Sequence, residues 1–146
     1  MLKGLTAVGL VVSAVALGAL GAPQDDAAIR GNVAAFEAAV NKRDVAGVVA
    51  TYTLDGDFVF FEGPRVVGRE AIRKWTTDEL ATMPSTKRIT LTVTGIRFLA
   101  DDIAIAETSA RFNEGEAREN RGTSVFVRQN GRWLVAALRV YPAQRP

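Results

Sequence analysis

Three charged residues lie in stretches that are otherwise typical of β-strands, and they are the first candidates for chemistry. Arg139 lies in the long apolar run near the end of the chain, and Glu107 follows Ile103 and Ile105 on the same face of a predicted strand. A buried charge is very costly unless it meets an opposite charge or a ligand. Arg139 is therefore either the anchor for an anionic ligand or one half of an ion pair with Glu107 or Asp57. The sequence alone favours neither alternative.

Glu107 and Asp57 are also the candidates for a general base, because burial and neighbouring charges can tune a carboxylate for proton transfer. Each has a simpler structural interpretation, which we favour. Glu107 is explained by an ion pair with Arg111 or Arg139, and Asp57 by a turn or cap position after Gly56.

Three aromatic residues with a polar tip suit a pocket for a flat organic ligand, although such residues more often pack in a core or at its rim. They are Tyr52, Trp75 and Tyr141. If the chain binds a small molecule, we expect these side chains to contribute to the site.

The composition excludes several kinds of site. The chain has no Cys, which excludes disulfides and thiol catalysis, and no His, which removes the usual general base and the commonest metal ligand. The acidic residues near Asp101 and Glu114 are typical of solvated turns, so we expect neither a metal nor a cofactor. The formal net charge is +2, and no basic cluster is interleaved with aromatic residues. We therefore expect no nucleic-acid partner.

The elements that must position these residues are clearest near the C-terminus. Residues 124–128 and 133–141 are two strand-like runs joined by Asn130-Gly131, a dipeptide that strongly favours a type I′ hairpin turn. The second run is apolar on both faces, which predicts a strand in the middle of a sheet. Regular alternation would put five of its residues on one face, namely Trp133, Val135, Ala137, Arg139 and Tyr141.

The rest of the chain predicts three helices and further strands. Apolar residues recur at helical spacing in a first helix, which Asp25 or Asp26 can cap, and in a short second helix, which Asp44 can cap. A third helix is predicted from Gly68 to the residues before Pro84, and after it apolar residues alternate with a period of two. Helices segregated against an antiparallel sheet make an α+β domain.

Four short motifs occur in a characteristic order and spacing. They are Phe36 with Asn41-x-x-Asp44, Asp55-Gly56-Asp57-Phe58, Val67-Gly68-Arg69-Glu70-Ala71-Ile72, and Gly131-Arg132-Trp133. Over residues 25–142 the chain thus resembles the nuclear transport factor 2-like superfamily, which includes ketosteroid isomerases and SnoaL-like cyclases, and it is most similar to the SgcJ/EcaC-type group. The resemblance implies a cystatin-like cone, a curved antiparallel sheet with three N-terminal helices on its concave face and a conical cavity between them. It also implies a homodimer.

The resemblance further implies where the catalytic groups of a ketosteroid isomerase would lie in this sequence. Phe36 stands in place of the phenol, Phe60 in place of the carboxylate base and Ser124 in place of the protonated carboxylic acid. Isomerase chemistry by that mechanism is therefore not expected. The residues expected to contact a ligand are Arg139, Tyr52, Trp75, Tyr141, Phe36, Phe60 and Ser124.

These observations support three hypotheses about function. The leading one is an exported protein that holds a small, partly apolar, anionic molecule in its cavity, with Arg139 as the polar anchor. The second is an isomerase, cyclase or lyase of the same fold that uses Glu107 or Asp57 as its base. The third is a structural or assembly domain whose cavity is filled by its own side chains.

Residues 1–22 have the character of a secretory signal peptide. Lys3 gives a minimal basic start, an apolar run follows, and the small residues Ala19 and Gly21 are spaced as a signal-peptidase site requires. An uncleaved membrane anchor is the alternative, because the run approaches the length needed to span a bilayer. We expect cleavage and a domain of residues 23–146 in the periplasm or outside the cell, without membrane contact.

The first prediction concerns this leader. When the chain is expressed in a bacterium with its own leader, the protein should appear in the periplasmic fraction with its N-terminus near Ala22. Intact-mass spectrometry measures the N-terminus directly. An intact Met1 in the membrane pellet would replace the signal peptide with the anchor.

Overall fold

The computed structural model describes residues 22–114 and 119–142, so the predicted leader up to residue 21 lies outside the described residues. The elements in chain order are α1 (Pro23–Lys42), α2 (Val45–Ala50), β1 (Tyr52–Phe60), β2 (Val66–Val67), α3 (Arg69–Thr82), β3 (Ile89–Ala100), β4 (Ile103–Phe112), β5 (Asn120–Gln129) and β6 (Arg132–Tyr141). No helix within the described ranges has the length and apolar character needed to cross a membrane.

The strands form one six-stranded sheet in the order β2-β1-β6-β5-β4-β3, with the helices packed against one face. We call that face the inner face and the opposite one the outer face. The α+β fold class is confirmed. Most pairings are antiparallel as predicted, but β1 and β6 are parallel, so the sheet is mixed. Parallel pairing is possible here because the connection from β1 to β6 is long. It consists of the elements from β2 to β5 and returns the chain to the same end of the sheet.

The last strand lies in the middle of the sheet, as its apolar sequence predicts. β6 pairs with β1 on one side and with β5 on the other. The hairpin between β5 and β6 turns at Asn130, with φ 51°, and at Gly131, with φ 74°. Positive φ at both central residues is what a type I′ turn requires.

The predicted cap of α2 is confirmed, but that of α1 is wrong. Asp44 accepts a hydrogen bond from the backbone N–H of Gly47 at 2.9 Å. α1 begins before Asp25 and Asp26, so both carboxylates lie in its first turn. Asp25 instead accepts a hydrogen bond from the indole Nε1 of Trp133 at 2.9 Å, which ties α1 to β6.

A β-bulge lies halfway along β6. Val125 pairs with Ala137 and Phe126 pairs with Val135, so β6 carries one extra residue, Ala136, at this point. An extra residue reverses the alternation of side chains beyond it. The two halves of β6 therefore present residues of opposite parity to the helices.

The bulge overturns the predicted face of Arg139. Trp133 and Val135 before the bulge and Leu138 after it all pack in the core or against it. Arg139 follows Leu138 and lies on the outer face. The expectation that Arg139 shares a face with Trp133 and Val135 is wrong, because it assumed regular alternation.

Gly56 lies inside β1. A Cβ atom at Gly56 would lie 2.8 Å from the carbonyl oxygen of Val135, closer than real Cβ atoms approach other atoms. Glycine therefore lets β1 come close to β6. The pairing of β1 with β6 is irregular between Tyr52 and Asp57.

The second prediction concerns the core. Trp133 is 4% exposed, and its ring meets that of Phe98 edge-on with centroids 5.8 Å apart. Trp133→Ala should lower the free energy of unfolding by about 3–5 kcal/mol, the range for a buried large aromatic residue. The matched control Leu54→Ala truncates a side chain that is 74% exposed and should change it by less than about 0.5 kcal/mol. Chemical denaturation measures the free energy of unfolding of both variants. A decrease below about 1 kcal/mol for Trp133→Ala would show that Trp133 is not a core residue.

Candidate functional site

A cavity of two adjoining lobes lies between the inner face of the sheet and the helices. The first lobe, of about 540 Å³, is bounded by β3 to β6 and α1. The second lobe, of about 570 Å³, is bounded by β1, α1 and α3. Small-molecule sites in proteins have volumes of about 300–1,000 Å³, so either lobe is large enough to hold a ligand. Eight residues line both lobes and mark their junction: Phe36, Tyr52, Phe60, Phe61, Glu79, Lys87, Ile89 and Phe112.

The three positions that the resemblance assigned to isomerase groups all line the first lobe. They are Phe36, Phe60 and Ser124. Two carry aromatic rings and the third carries a hydroxyl, so none of them supplies a base. At these positions the wall provides apolar contact surface in place of acid–base chemistry.

The second lobe has an aromatic wall centred on Trp75. The Trp75 ring stacks on that of Phe60, with centroids 4.9 Å apart and planes 16° apart. It meets the Phe58 ring edge-on at 4.6 Å. Offset-stacked and edge-to-face contacts are the favoured arrangements of aromatic pairs, so these rings hold one another in place.

Tyr52 lies where the two lobes meet, and it is 2% exposed to solvent. Its ring centroid lies 6.4 Å from those of Phe36 and Phe58. Burial first, and the charge of Asp57 second, raise the pKa of the Tyr52 phenol well above its usual range. The phenol therefore stays protonated and can donate a hydrogen bond.

Three buried side chains bring hydroxyls to the cavity wall, namely Tyr52, Thr76 and Ser124. The polar atoms that are sealed in the described structure without a partner are Asn32 Oδ1 and Thr53 Oγ1. Tyr52, Thr76 and Ser124 are therefore the buried wall residues that carry a hydroxyl as a candidate hydrogen-bonding group for a ligand.

The charged residues on the described part of the wall lie at its mouth. Glu79 and Glu114 are exposed and Lys87 is half-buried. The Lys87 Nζ lies 4.4 Å from the centroid of the Phe112 ring, a cation–π contact. The interior of the cavity is therefore uncharged and the mouth is polar.

Phe61 was not predicted as a site residue, yet it lines both lobes. Its φ of 54° lies in the left-handed region, which costs a residue with a side chain about 1–2 kcal/mol. Its backbone N–H donates to the carbonyl oxygen of Val140 at 2.7 Å, which fixes the residue at the end of β1. The only sequence signal was the turn at Gly63-Pro64, and a turn signal does not say which residue adopts a positive φ.

On the outer face, two arginines from different elements share the carboxylate of Asp57. Arg139 on β6 pairs with Asp57 Oδ1, and Arg65, in the turn before β2, donates from Nε to Oδ2 at 3.0 Å. Asp57 is 4% exposed. Burial by itself would raise the pKa of Asp57, but the hydrogen bonds from Arg65 and Arg139 outweigh it and hold that pKa below its usual range. The carboxylate stays ionised, which suits an ion pair better than a general base.

Of the two alternatives for Arg139, the structure shows the ion pair with Asp57, and the guanidinium lies outside the cavity. The expectation that Asp57 is a turn or cap residue is wrong, because Asp57 lies inside β1. Sequence reasoning also missed Arg65, which stands in a turn where an arginine gives no sign of a distant partner.

Glu107 and Tyr141 also lie away from the cavity, on the outer face. Glu107 is exposed and accepts a hydrogen bond from Thr123 Oγ1 at 2.8 Å. Its predicted partner Arg111 pairs instead with Glu119, at 3.1 Å. Tyr141 is 53% exposed.

The described cavity thus brings together one part of the predicted ligand set. Five predicted residues line the cavity, namely Phe36, Tyr52, Phe60, Trp75 and Ser124. Four candidates do not line it, namely Arg139, Tyr141, Asp57 and Glu107. Within residues 22–114 and 119–142, no group of acidic residues is placed to hold a metal ion.

This combination of sequence and fold matches a known family. Residues 33–136 match the family model described as the SnoaL-like domain. The chain belongs to the SnoaL-like domain family. This places it in the superfamily that the four sequence motifs indicated. No curated protein matches the chain in sequence.

Solved structures share the fold of this SnoaL-like domain. A domain of unknown function with a cystatin-like fold from Nostoc punctiforme is 21% identical, with a TM-score of 0.77 over 86% of this chain and 81% of that one. An NTF2-like protein from Novosphingobium aromaticivorans is 17% identical, with a TM-score of 0.75 over 84% of each chain. A ketosteroid isomerase-like protein from Erwinia carotovora atroseptica is 17% identical, with a TM-score of 0.65 over 84% of this chain and 99% of that one. At these identities the likeness shows the fold alone.

The third prediction concerns the ion pair of this SnoaL-like domain. Arg139→Met should lower the free energy of unfolding by about 1–3 kcal/mol at pH 7, because Asp57 loses one charged donor and keeps Arg65. The pKa of Asp57 is lower in the folded state than in the unfolded state, so the pairing stabilises the fold above pH ~4 and its contribution is lost as the pH falls through the folded pKa. The loss caused by Arg139→Met should therefore shrink in acid.

Urea unfolding curves at pH 7 and in acid measure this loss. Asp57→Asn is the control background, because it removes the titrating group. In that background the effect of Arg139→Met should be the same at both pH values. If Arg139→Met lowers the free energy of unfolding of the otherwise wild-type protein by the same amount at both pH values, the arginine does not stabilise an ionised Asp57.

Proposed function

We propose that this SnoaL-like domain binds a flat, uncharged, partly apolar small molecule in its two-lobed cavity. The observation that carries the proposal is the distribution of polarity along the described wall. Aromatic and aliphatic side chains form most of the wall, the buried wall residues Tyr52, Thr76 and Ser124 carry hydroxyls, and the described charged residues lie at the mouth. In such a site the apolar surface supplies most of the binding free energy and the few polar groups fix orientation.

The charges at the mouth favour an uncharged ligand over the anionic one that Arg139 suggested. Among the described residues of the rim, Glu79 and Glu114 supply two carboxylates and Lys87 supplies one ammonium. A ligand carboxylate would lose its hydration among wall residues that, as far as they are described, carry no charge in the interior. A ligand with hydroxyl or carbonyl oxygens keeps its polar groups satisfied by the three hydroxyls.

A second candidate function is catalysis of the isomerase or lyase type, and Tyr52 is the observation that favours it. A protonated phenol open to the cavity can donate a hydrogen bond to a carbonyl oxygen whose charge grows during enolisation. Glu79, which lines both lobes, is the candidate for the base. Turnover of an enolisable ketone that disappears in Tyr52→Phe would support this function, and no turnover by the wild-type protein would end it.

The finer assignments rest on the sequence and are proposals of the same kind. Membership of the SgcJ/EcaC-type group and export to the periplasm are supported by the motifs and the leader-like residues 1–22. A homodimer through the outer face is supported by its apolar residues, among them the exposed Ile103 and Tyr141. Sedimentation velocity tests the dimer, and a monomer at micromolar concentration would exclude it.

The fourth prediction tests the binding site. The uncharged aromatic probe N-phenyl-1-naphthylamine should bind the wild-type protein with enhanced fluorescence. Ala110, on β4, lines the first lobe, and Ala110→Trp should fill that lobe and weaken binding at least about tenfold, or about 1.4 kcal/mol.

The matched control is Ser109→Trp, which adds the same ring one residue away on the outer face of β4. It should bind the probe as the wild type does, and both variants should keep a cooperative unfolding transition. Equal affinity in the wild-type protein and in a folded Ala110→Trp variant would show that the probe does not occupy the cavity.

A further inference from the structure

Phe60 and Phe61 are consecutive residues whose rings both line the cavity, which a regular β-strand does not allow. Successive side chains of a strand point to opposite faces, so a continued β1 would place the Phe61 ring on the outer face. The left-handed backbone at Phe61, with φ 54°, turns the ring back toward the inner side. There its centroid lies 6.4 Å from that of Phe60.

The other non-glycine residues with positive φ in the described ranges have structural explanations. Arg43 ends α1, and its guanidinium donates to the carbonyl oxygens of Met83 and Pro84. Asn130 lies in the hairpin turn. Phe61 also lies in a turn, but it differs from both because it lines the two lobes of the cavity, which Arg43 and Asn130 do not.

Two backbone hydrogen bonds hold the chain at Phe61 and so fix the point from which its side chain leaves the backbone. The Phe61 N–H donates to the carbonyl oxygen of Val140 at 2.7 Å, and the Gly63 N–H donates to that of Phe60 at 2.9 Å. The ring is therefore held at the junction of the two lobes with part of its surface exposed. A ligand in either lobe would meet it there and cover that surface.

We propose that Phe61 is a specificity-determining residue, whose ring packs against a planar aromatic ligand at the junction of the two lobes. The inference rests on the proposed function and narrows its ligand class from apolar to aromatic. An aromatic ligand gains ring–ring attraction that a saturated molecule of similar size does not receive. The stacked rings of Phe60 and Trp75 provide a second aromatic surface beside Phe61.

Phe61→Gly tests the inference without threatening the fold, because glycine adopts positive φ readily and the removed ring is about half exposed. The variant should bind N-phenyl-1-naphthylamine about tenfold more weakly and release it faster in stopped-flow measurements. Affinity for 1-decanol, a saturated uncharged competitor, should fall by less than about threefold. Phe61→Tyr keeps an aromatic ring and should restore the affinity for the aromatic probe.

The control is Leu54→Gly, which removes an exposed apolar side chain from the same strand at a position that lines neither lobe. It should leave the affinity for the probe unchanged. If Phe61→Gly does not fold, Phe61→Asn replaces it, because asparagine also tolerates positive φ.

The outcomes separate this inference from the proposed function. The inference is supported if Phe61→Gly loses more affinity for the aromatic probe than for 1-decanol. Equal losses for both ligands, or no loss for the probe, would overturn it while Ala110→Trp still blocks the cavity. A wild-type protein that binds neither ligand would overturn the inference and the proposed function together.

Discussion

The bulge at Ala136 is the constraint on which the arrangement of the site depends. One extra residue in the central strand reverses the alternation of side chains halfway along it. Without the bulge, Leu138 would turn to the outer face and Arg139 would face the apolar cavity. Both changes would be unfavourable, because the first exposes apolar surface and the second buries a charge away from its partner. The same residue thus completes the core and keeps the cavity uncharged.

The outward position of Arg139 makes the ion pair with Asp57 possible. Asp57 is nearly buried, and it would be costly without the guanidinium groups of Arg139 and Arg65. A buried ion pair is weak evidence for net stability, since apolar residues can replace one without loss. Its clearer role is geometric, because it joins β1, β6 and the turn before β2 at one point. Arg139 and Asp57, two of the first candidates for chemistry, therefore form an ion pair that connects the strands of the sheet.

The cavity lies in a fold that is shared with proteins described in different ways. One protein of similar fold is described as ketosteroid isomerase-like, whereas the positions that the resemblance assigned to isomerase groups in this sequence hold Phe36, Phe60 and Ser124. Fold does not fix function, and the function follows from what lines the wall. Here the wall offers aromatic rings, a protonated phenol at Tyr52 and few charges, which suits recognition of an uncharged molecule by shape and a small number of hydrogen bonds.

The sequence by itself determined the features that depend on local patterns. Helical and two-residue periodicity defined the α+β class, the Asn130-Gly131 dipeptide defined the last hairpin, and motif spacing led to three residues of the cavity wall, Phe36, Phe60 and Ser124. Only the tertiary structure decided the bulge at Ala136, the left-handed backbone at Phe61 and the contact of Arg65 with Asp57. Ala and Phe carry no local preference for such conformations, which cost about 1–2 kcal/mol at a residue such as Phe61. They arise because packing between segments far apart in the chain outweighs that cost, and the local sequence does not record which segments will meet.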